Sequence, residues 1–138
     1  GIPVAVKELL NVKGQPCTCG SKILKGYTAP YTATAMARLE ETVENPHYFV
    51  FAQDMQWARD KLTSRHPLTF AAPKDPDAGA IQDLFLMTRC RHYIISNSTL
   101  HWWGAWLNPA EDKIILAPAA GWYSGDCLPP SWQRMDQN

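Results

Sequence analysis

The chain has 138 residues, enough for one compact domain with its own core. Thirteen acids balance thirteen bases, and no run of Lys and Arg occurs, which excludes a basic nucleic-acid footprint. No stretch approaches the ~20 apolar residues of a membrane span, and none reads as a signal peptide.

The expected compartment is therefore the cytoplasm, at most peripheral to a membrane. With no Met at its start, the chain reads as processed or trimmed. Residues 1–30 are expected to form a loop-rich N-terminal segment. Within it, Gly14 to Gly26 (GQPCTCGSKILKG) is punctuated by Gly and Pro and shows no period. Cys17 and Cys19 are one residue apart, not the C-x-x-C of a zinc knuckle or a thioredoxin site. They read as reduced thiols, not as a metal site completed by His47 or His66.

Pro30 pre-sets the backbone for a helix. Tyr31 to Val43 reads as that helix, amphipathic on Met36, Leu39 and Val43, and Asn45–Pro46 stops it. Tyr48 to Ala52 (YFVFA) is continuously apolar, as a strand covered on both faces must be. Asp54 can cap a helix from Met55 to Leu62. Leu68–Phe70 is a further strand and Pro73–Gly79 a turn-rich loop. Ala80 to Arg91 reads as a helix with Ile81, Leu84, Phe85 and Thr88 on one side. Tyr93–Ser96 (YIIS) is a strand, and Ser98 can cap a helix that runs to Leu107 before Asn108–Pro109. Lys113–Ala117 (KIILA) is the last strand, and Gly121 to Asn138 reads as irregular.

Strands alternating with helices imply an α/β fold over residues 31–138: a Rossmann-like, mostly parallel sheet with helices on both faces. In such sheets ligands lie beyond the carboxyl ends of the strands. That rule selects Gln53 and Asp54, the Ala71–Gly79 loop with the helix after it, and Asn97–Ser98–Thr99.

The run Ser96-Asn97-Ser98-Thr99 joins a buried strand to a helix N-terminus, where unpaired N–H groups and a partial positive charge suit a phosphate. An ordinary N-cap is the simpler reading of those four residues alone. The sequence Trp102-Trp103-Gly104-Ala105-Trp106 follows. A helical Gly costs about 1 kcal/mol relative to Ala, so Gly104 implies close approach to the sheet or to a ligand. The tryptophans read individually as core. Asp83 can accept paired N–H bonds from the N1 and N2 edge of guanine, or can simply stabilise the first turn of its helix.

The block from Asp83 to Pro118 (DLFLMTRCRHYIISNSTLHWWGAWLNPAEDKIILAP) resembles the C-terminal signature of the α-1,2-fucosyltransferase family. That signature is D-x-x-L-M-x-x-C-x-H-x-I-I-x-N-S-(S/T), then W-W-x-A-x-L and a K-I-I-x-x-P strand. Upstream, NPHYFVFAQDMQWARDKL resembles the family's F-x-F strand, acidic pair and Trp-bearing helix. Trp122 and Ser131-Trp132 also fit.

The resemblance implies one half of a GT-B-like two-domain glycosyltransferase, with the N-terminal half of the enzyme outside these residues. It implies GDP-fucose as donor, an oligosaccharide with a galactose-type hydroxyl as acceptor, an α-1,2 linkage, and no metal or other cofactor. Asp83 matches the acid that holds guanine. Thr99, with Asn97 and Ser98, matches the turn that closes on the diphosphate. Gln53 and Asp54 match the post-strand pair on the donor side, and Asp54 is the candidate catalytic base.

This chain departs from the pattern in four respects. The H-x-R-R-G-D-Y motif is absent and no two arginines are adjacent. Gln53 replaces an acid, His101 a small polar residue, and Tyr93 an Asn or Gly. These departures favour an inactive isolated chain. They also leave open a non-catalytic nucleotide- or carbohydrate-binding domain derived from the same fold.

Overall fold

The computed structural model of the chain describes residues 2–7, 34–52, 54–62, 64–72, 78–119 and 127–135. Six strands form one sheet: β1 (Ile2–Lys7), β2 (Pro46–Phe51), β3 (Leu68–Phe70), β4 (His92–Ile94), β5 (Ile115–Pro118) and β6 (Gln133–Met135). Four helices accompany them: α1 (Thr34–Thr42), α2 (Met55–Lys61), α3 (Gly79–Met87) and α4 (Thr99–Trp106). The strand order is β3-β2-β1-β4-β5-β6, and every neighbouring pair is parallel. This is the 3-2-1-4-5-6 order of a Rossmann-like α/β sheet.

Successive side chains of a strand face opposite sides, so each strand feeds two cores. Val4, Tyr48, Ile94 and Leu116 pack with Met36, Leu39 and Val43 of α1. Val50 packs with Ala58 of α2 and with Leu62. Their neighbours Ala5, Phe51, Tyr93, Ile95, Ile115 and Ala117 pack with Met87 of α3 and Ala105 of α4. Helices therefore cover both faces, α1 and α2 on one side and α3 and α4 on the other. Asn45, at φ 50°, makes the turn from α1 into β2. Asn tolerates that left-handed conformation better than most residues.

The sheet departs from the sequence reading at both ends. Residues 2–7 were expected to be loop, yet β1 is a central strand, in register with β2 from Ile2↔Pro46 to Lys7↔Phe51. Pro3 argues against a central strand because it lacks an N–H. It is accommodated because its carbonyl is used instead, accepting from Arg91 N–H at 2.8 Å. At the other end, Gln133–Met135 is not irregular but pairs with β5 as an edge strand. Trp102 anchors that segment: it lies 5.6 Å from Trp132, and its Nε1 donates to the Cys127 carbonyl at 2.9 Å.

The helices refine two readings of the sequence. Ile81 and Phe85, on the apolar side of the predicted helix, are both exposed, and Met87 is the buried residue of α3. Gly104 makes its close approach to α3 rather than to the sheet. A Cβ there would lie 2.7 Å from Met87 Cβ. Gly104 thus sets how closely α3 and α4 pack.

The change Gly104→Ala gains helix propensity of about 1 kcal/mol but overpacks a tight contact at about 1–3 kcal/mol. Urea titrations should show net destabilisation. The Gly104→Ala/Met87→Ala double variant should lose less than the sum of the two single losses. Additive losses would show that the two residues do not share this contact.

Candidate functional site

Because all six strands are parallel, their carboxyl ends share one edge. The helix that follows β2 lies on one face and the helix that follows β4 on the other, so the topological switch falls between β1 and β4. Asn97, Ser98 and Thr99 follow β4 directly and border that switch. Asp54 follows β2, two strand spacings away, which is about 10 Å across the edge. Gln53, Pro73 to Asp77 of the predicted loop, Cys17, Cys19 and Trp122 lie outside the described residues. The sequence reading missed β1, which brings its last residue, Lys7, to this edge.

The β4–α4 turn is compact. Ser98 N–H donates to the Ser96 carbonyl at 2.7 Å, and Trp102 N–H donates to the Ser98 carbonyl at 3.0 Å. Ser98 occupies the N-cap position with extended backbone, φ −143° and ψ 122°, but its side chain makes no capping bond. The expected hydroxyl cap is therefore absent, and the first N–H groups of α4 point to the crevice edge. Behind the turn, Ser96 and His101 are both buried, with Ser96 Oγ and His101 Nδ1 3.4 Å apart. His101 thus braces the strand–helix junction from inside.

Asp83 is the fifth residue of α3, in the second turn, where a helix dipole no longer accounts for an acid. Its Oδ1 is buried and accepts no hydrogen bond from the described residues. Burial raises its pKa above the ordinary carboxylate range. A half-buried carboxylate with an unmet oxygen near a ligand edge is an acceptor waiting for N–H donors. Asp54 differs sharply. It is exposed, and its Oδ1 accepts from Trp57 N–H at 2.8 Å as the N-cap of α2. Structural capping therefore already engages one oxygen of this candidate base.

An open depression lies at the opposite, amino-terminal edge, lined by Thr88, Arg89, Arg91, Asn108 and Asp112 among others. Arg91 is ion-paired there with Asp112. Asp54 and the Asn97–Thr99 turn lie at the other edge.

If Asp54 acts mainly as a cap, Asp54→Ala should lower the unfolding free energy by ~1 kcal/mol, and Asp54→Ser should restore most of it. Chemical denaturation of the three proteins measures this. Equal loss in both variants would remove the capping role.

A family model described as glycosyl transferase family 11 matches residues 22–126. The O-antigen biosynthesis glycosyltransferase WbnK of Escherichia coli is 35% identical over 96 residues, covering 70% of this chain and 31% of that protein. An alpha-1,2-colitosyltransferase of Escherichia coli is 29% identical over 120 residues, 80% of this chain and 40% of its own length. A separate similarity, 62% identity over 39 residues, links 28% of this chain to 9% of a glutamyl-tRNA(Gln) amidotransferase polypeptide of Wolinella succinogenes. A stretch of that length is below the size at which a chain ordinarily folds alone. No solved structure matches the chain. The chain spans only 31% and 40% of the length of the two glycosyltransferases. With 105 of its 138 residues inside the family match, and the Asp83–Trp106 block at the heart of it, this protein belongs to glycosyl transferase family 11.

Proposed function

We propose that this chain is the donor-binding portion of a glycosyltransferase that moves fucose from GDP-fucose to a galactose-type hydroxyl in α-1,2 linkage. The observation that carries the reading is the buried, unmet Oδ1 of Asp83 on the helix beside the β4–α4 turn. Guanine presents two adjacent N–H donors, N1 and N2, to one carboxylate; adenine and uracil do not. The diphosphate would lie on the first turn of α4, where backbone N–H groups and the helix dipole favour an anion. The family match supports glycosyl transfer, and the α-1,2 linkage in the name of one relative agrees with the proposed linkage. That relative's name also specifies a sugar other than fucose, so the donor sugar is the part of the reading most open to test.

In this reading the acceptor hydroxyl displaces GDP at the anomeric carbon. The new C–O bond forms as the bond to diphosphate breaks, and the hydroxyl proton passes to a base. The protein contributes orientation and stabilisation of the leaving anion, and no cofactor beyond the nucleotide sugar is required. Asp54 lies at the right edge for the base, although its capping bond competes with that role.

Asp83→Asn separates binding from structure. Burial raises the Asp83 pKa, so the folded state holds its proton more tightly than the unfolded state does. Such a group stabilises the fold at low pH, and the benefit is lost as pH rises through the folded pKa. At neutral pH, Asp83→Asn should therefore leave the melting temperature unchanged or raised. It should weaken GDP by ~10- to 100-fold, the loss of a charged paired contact of about 1.5–3 kcal/mol, with ADP and UDP unaffected. Wild-type affinity for GDP should also fall as acid protonates Asp83. Calorimetric titration with the three nucleotides checks this. Equal loss for all three, or a drop in stability, would make Asp83 structural.

A second reading, a non-catalytic nucleotide- or carbohydrate-binding domain, is favoured by the absence of any adjacent arginine pair. Without such a pair, the leaving diphosphate would lack its charge and rely more on the hydrogen bonds and dipole of the β4–α4 turn. Losing one preorganised donor to a developing anion costs about 2.7–4 kcal/mol, a factor of ~100 to 1,000 in rate. These 138 residues by themselves should therefore transfer no fucose from radiolabelled GDP-fucose to a galactose-terminated acceptor. The same residues joined to a segment with an H-x-R-R motif should do so. Comparable turnover by both would show that the arginines are dispensable and direct attention to His101.

A further inference from the structure

His92, the first residue of β4, is buried at the amino-terminal edge of the sheet. A backbone N–H can only donate, so the bond from Ile114 N–H to His92 Nδ1 at 3.0 Å fixes the state of the ring. Nδ1 is bare, and a neutral imidazole then carries its proton on Nε2. The bond also extends a ladder. The Ile114 carbonyl accepts from Tyr93 N–H at 2.9 Å, and Ile95 N–H donates to the Leu116 carbonyl at 2.9 Å. The imidazole adds one more bond between β4 and the chain entering β5, with a side chain as acceptor in place of a strand carbonyl.

The segment held by this bond is otherwise folded on itself. Ala110 N–H donates to Asn108 Oδ1 at 2.7 Å, and Lys113 Nζ donates to the Asn108 carbonyl. Asn108 Nδ2 donates in turn to the buried Tyr93 hydroxyl at 2.7 Å. Residues 108–114 are therefore held against β4 at both ends, Asn108 on Tyr93 and Ile114 on His92.

Protonation is incompatible with the second hold. A proton added to the ring can go only to Nδ1, where it would face the Ile114 N–H. The bond is then lost, and a buried cation stands beside an unmet donor. His92 lines the open depression at this edge, so protons reach it from solvent without unfolding. Burial and the Arg91 guanidinium hold its pKa below the ordinary histidine value, against the Asp112 carboxylate, which favours the cation. Arg91 and Asp112 are paired with each other. The remaining titratable groups are engaged elsewhere or lie in solvent. Arg89 sits over the Phe85 ring, Lys113 is directed to Asn108, burial pushes the Cys90 thiol up to about 12, and Glu111 is exposed. On the β1 side the register partner of His92 is Val4. From α1, Arg38 donates to Met135 Sδ and Glu40 accepts from Arg65, while Glu41 and, just beyond the helix, Glu44 are exposed.

We propose that His92 is a proton-controlled latch: with Nδ1 bare it holds residues 108–114 against β4, and protonation releases them. The neutral ring belongs to the folded state. Its contribution to stability is therefore full above the unfolded histidine value of ~6.5, and is lost as pH falls from there through the lower folded value. The proposal is independent of which nucleotide sugar the crevice takes.

Amide exchange on the full chain, followed by NMR and corrected for the intrinsic effect of pH, tests it. Between about pH 7.5 and about pH 5, protection of the Ile114 N–H should fall by ~10-fold or more, and that of the Ile95 N–H by less. His92→Asn keeps an acceptor oxygen near the place of Nδ1 but does not titrate, so Ile114 should stay protected at both pH values. His92→Phe offers no acceptor and should leave Ile114 unprotected at both. The imidazole nitrogen shifts of the wild type give a reading that needs no variant: at neutral pH Nδ1 should be bare and Nε2 protonated. Constant Ile114 protection in the wild type, a pH dependence that persists in His92→Asn, or a proton on Nδ1 at neutral pH would each overturn the proposal.

Discussion

The candidate site depends on a buried polar node at the opposite edge of the sheet. Tyr93, in the middle of β4, is almost wholly buried, and its hydroxyl lies 2.7 Å from the Met87 carbonyl and 3.0 Å from that of Cys90. Asn108, just beyond α4, donates to the same hydroxyl at 2.7 Å and to the Thr88 carbonyl at 3.1 Å, and also to the Cys90 carbonyl. The node ties the end of α3, the body of β4 and the exit of α4 into one unit. Most of these groups are buried, so removing one partner would leave several donors and acceptors unmet. Three of these contacts meet at the Tyr93 hydroxyl. Tyr93 is the residue around which the node is built.

With their far ends pinned, α3 and α4 can only present their first turns to the carboxyl edge. Gly104 fixes their separation, because no side chain fits between its Cα and Met87. Asp83 and the Asn97–Thr99 turn therefore sit on two elements that cannot drift independently. This is the arrangement a binding site needs, with its groups on rigid elements and their support elsewhere. The unmet Asp83 oxygen is a local cost that such a scaffold tolerates. His101 braces the same turn from behind through Ser96, which suits a structural residue better than one that meets substrate.

Much of this was legible in the residues. The apolar runs at Tyr48–Ala52 and Lys113–Ala117, separated by helix-period segments, require buried parallel strands. β2 and β5 lie within a residue or two of those runs, and β3 matches Leu68–Phe70. The Asp83–Trp106 block carried the family. β1 was not legible because Pro3 breaks the pattern, and a strand's place at the centre of a sheet depends on partners far along the chain. β6 was hidden because Gln133 and Arg134 are exposed, so its alternation is that of an edge. The outward turn of Ile81 and Phe85 was invisible for another reason. Periodicity finds an apolar stripe but does not say whether the sheet or another surface covers it.

That last ambiguity bears on how the molecule is built. Trp102 stacks on Trp106 at 5.1 Å with 14° between the rings, and it also carries the segment that ends in β6. One face of the tryptophan cluster thus serves the fold, while Trp103 and Trp106 remain half in solvent. In a single domain that division is wasteful, because burying a full aromatic ring stabilises by about 1.5–3 kcal/mol relative to exposure. The helix pair is structural on its inner side, carries Asp83 and the Asn97–Thr99 turn toward the carboxyl edge of the sheet, and leaves apolar side chains on its outer side.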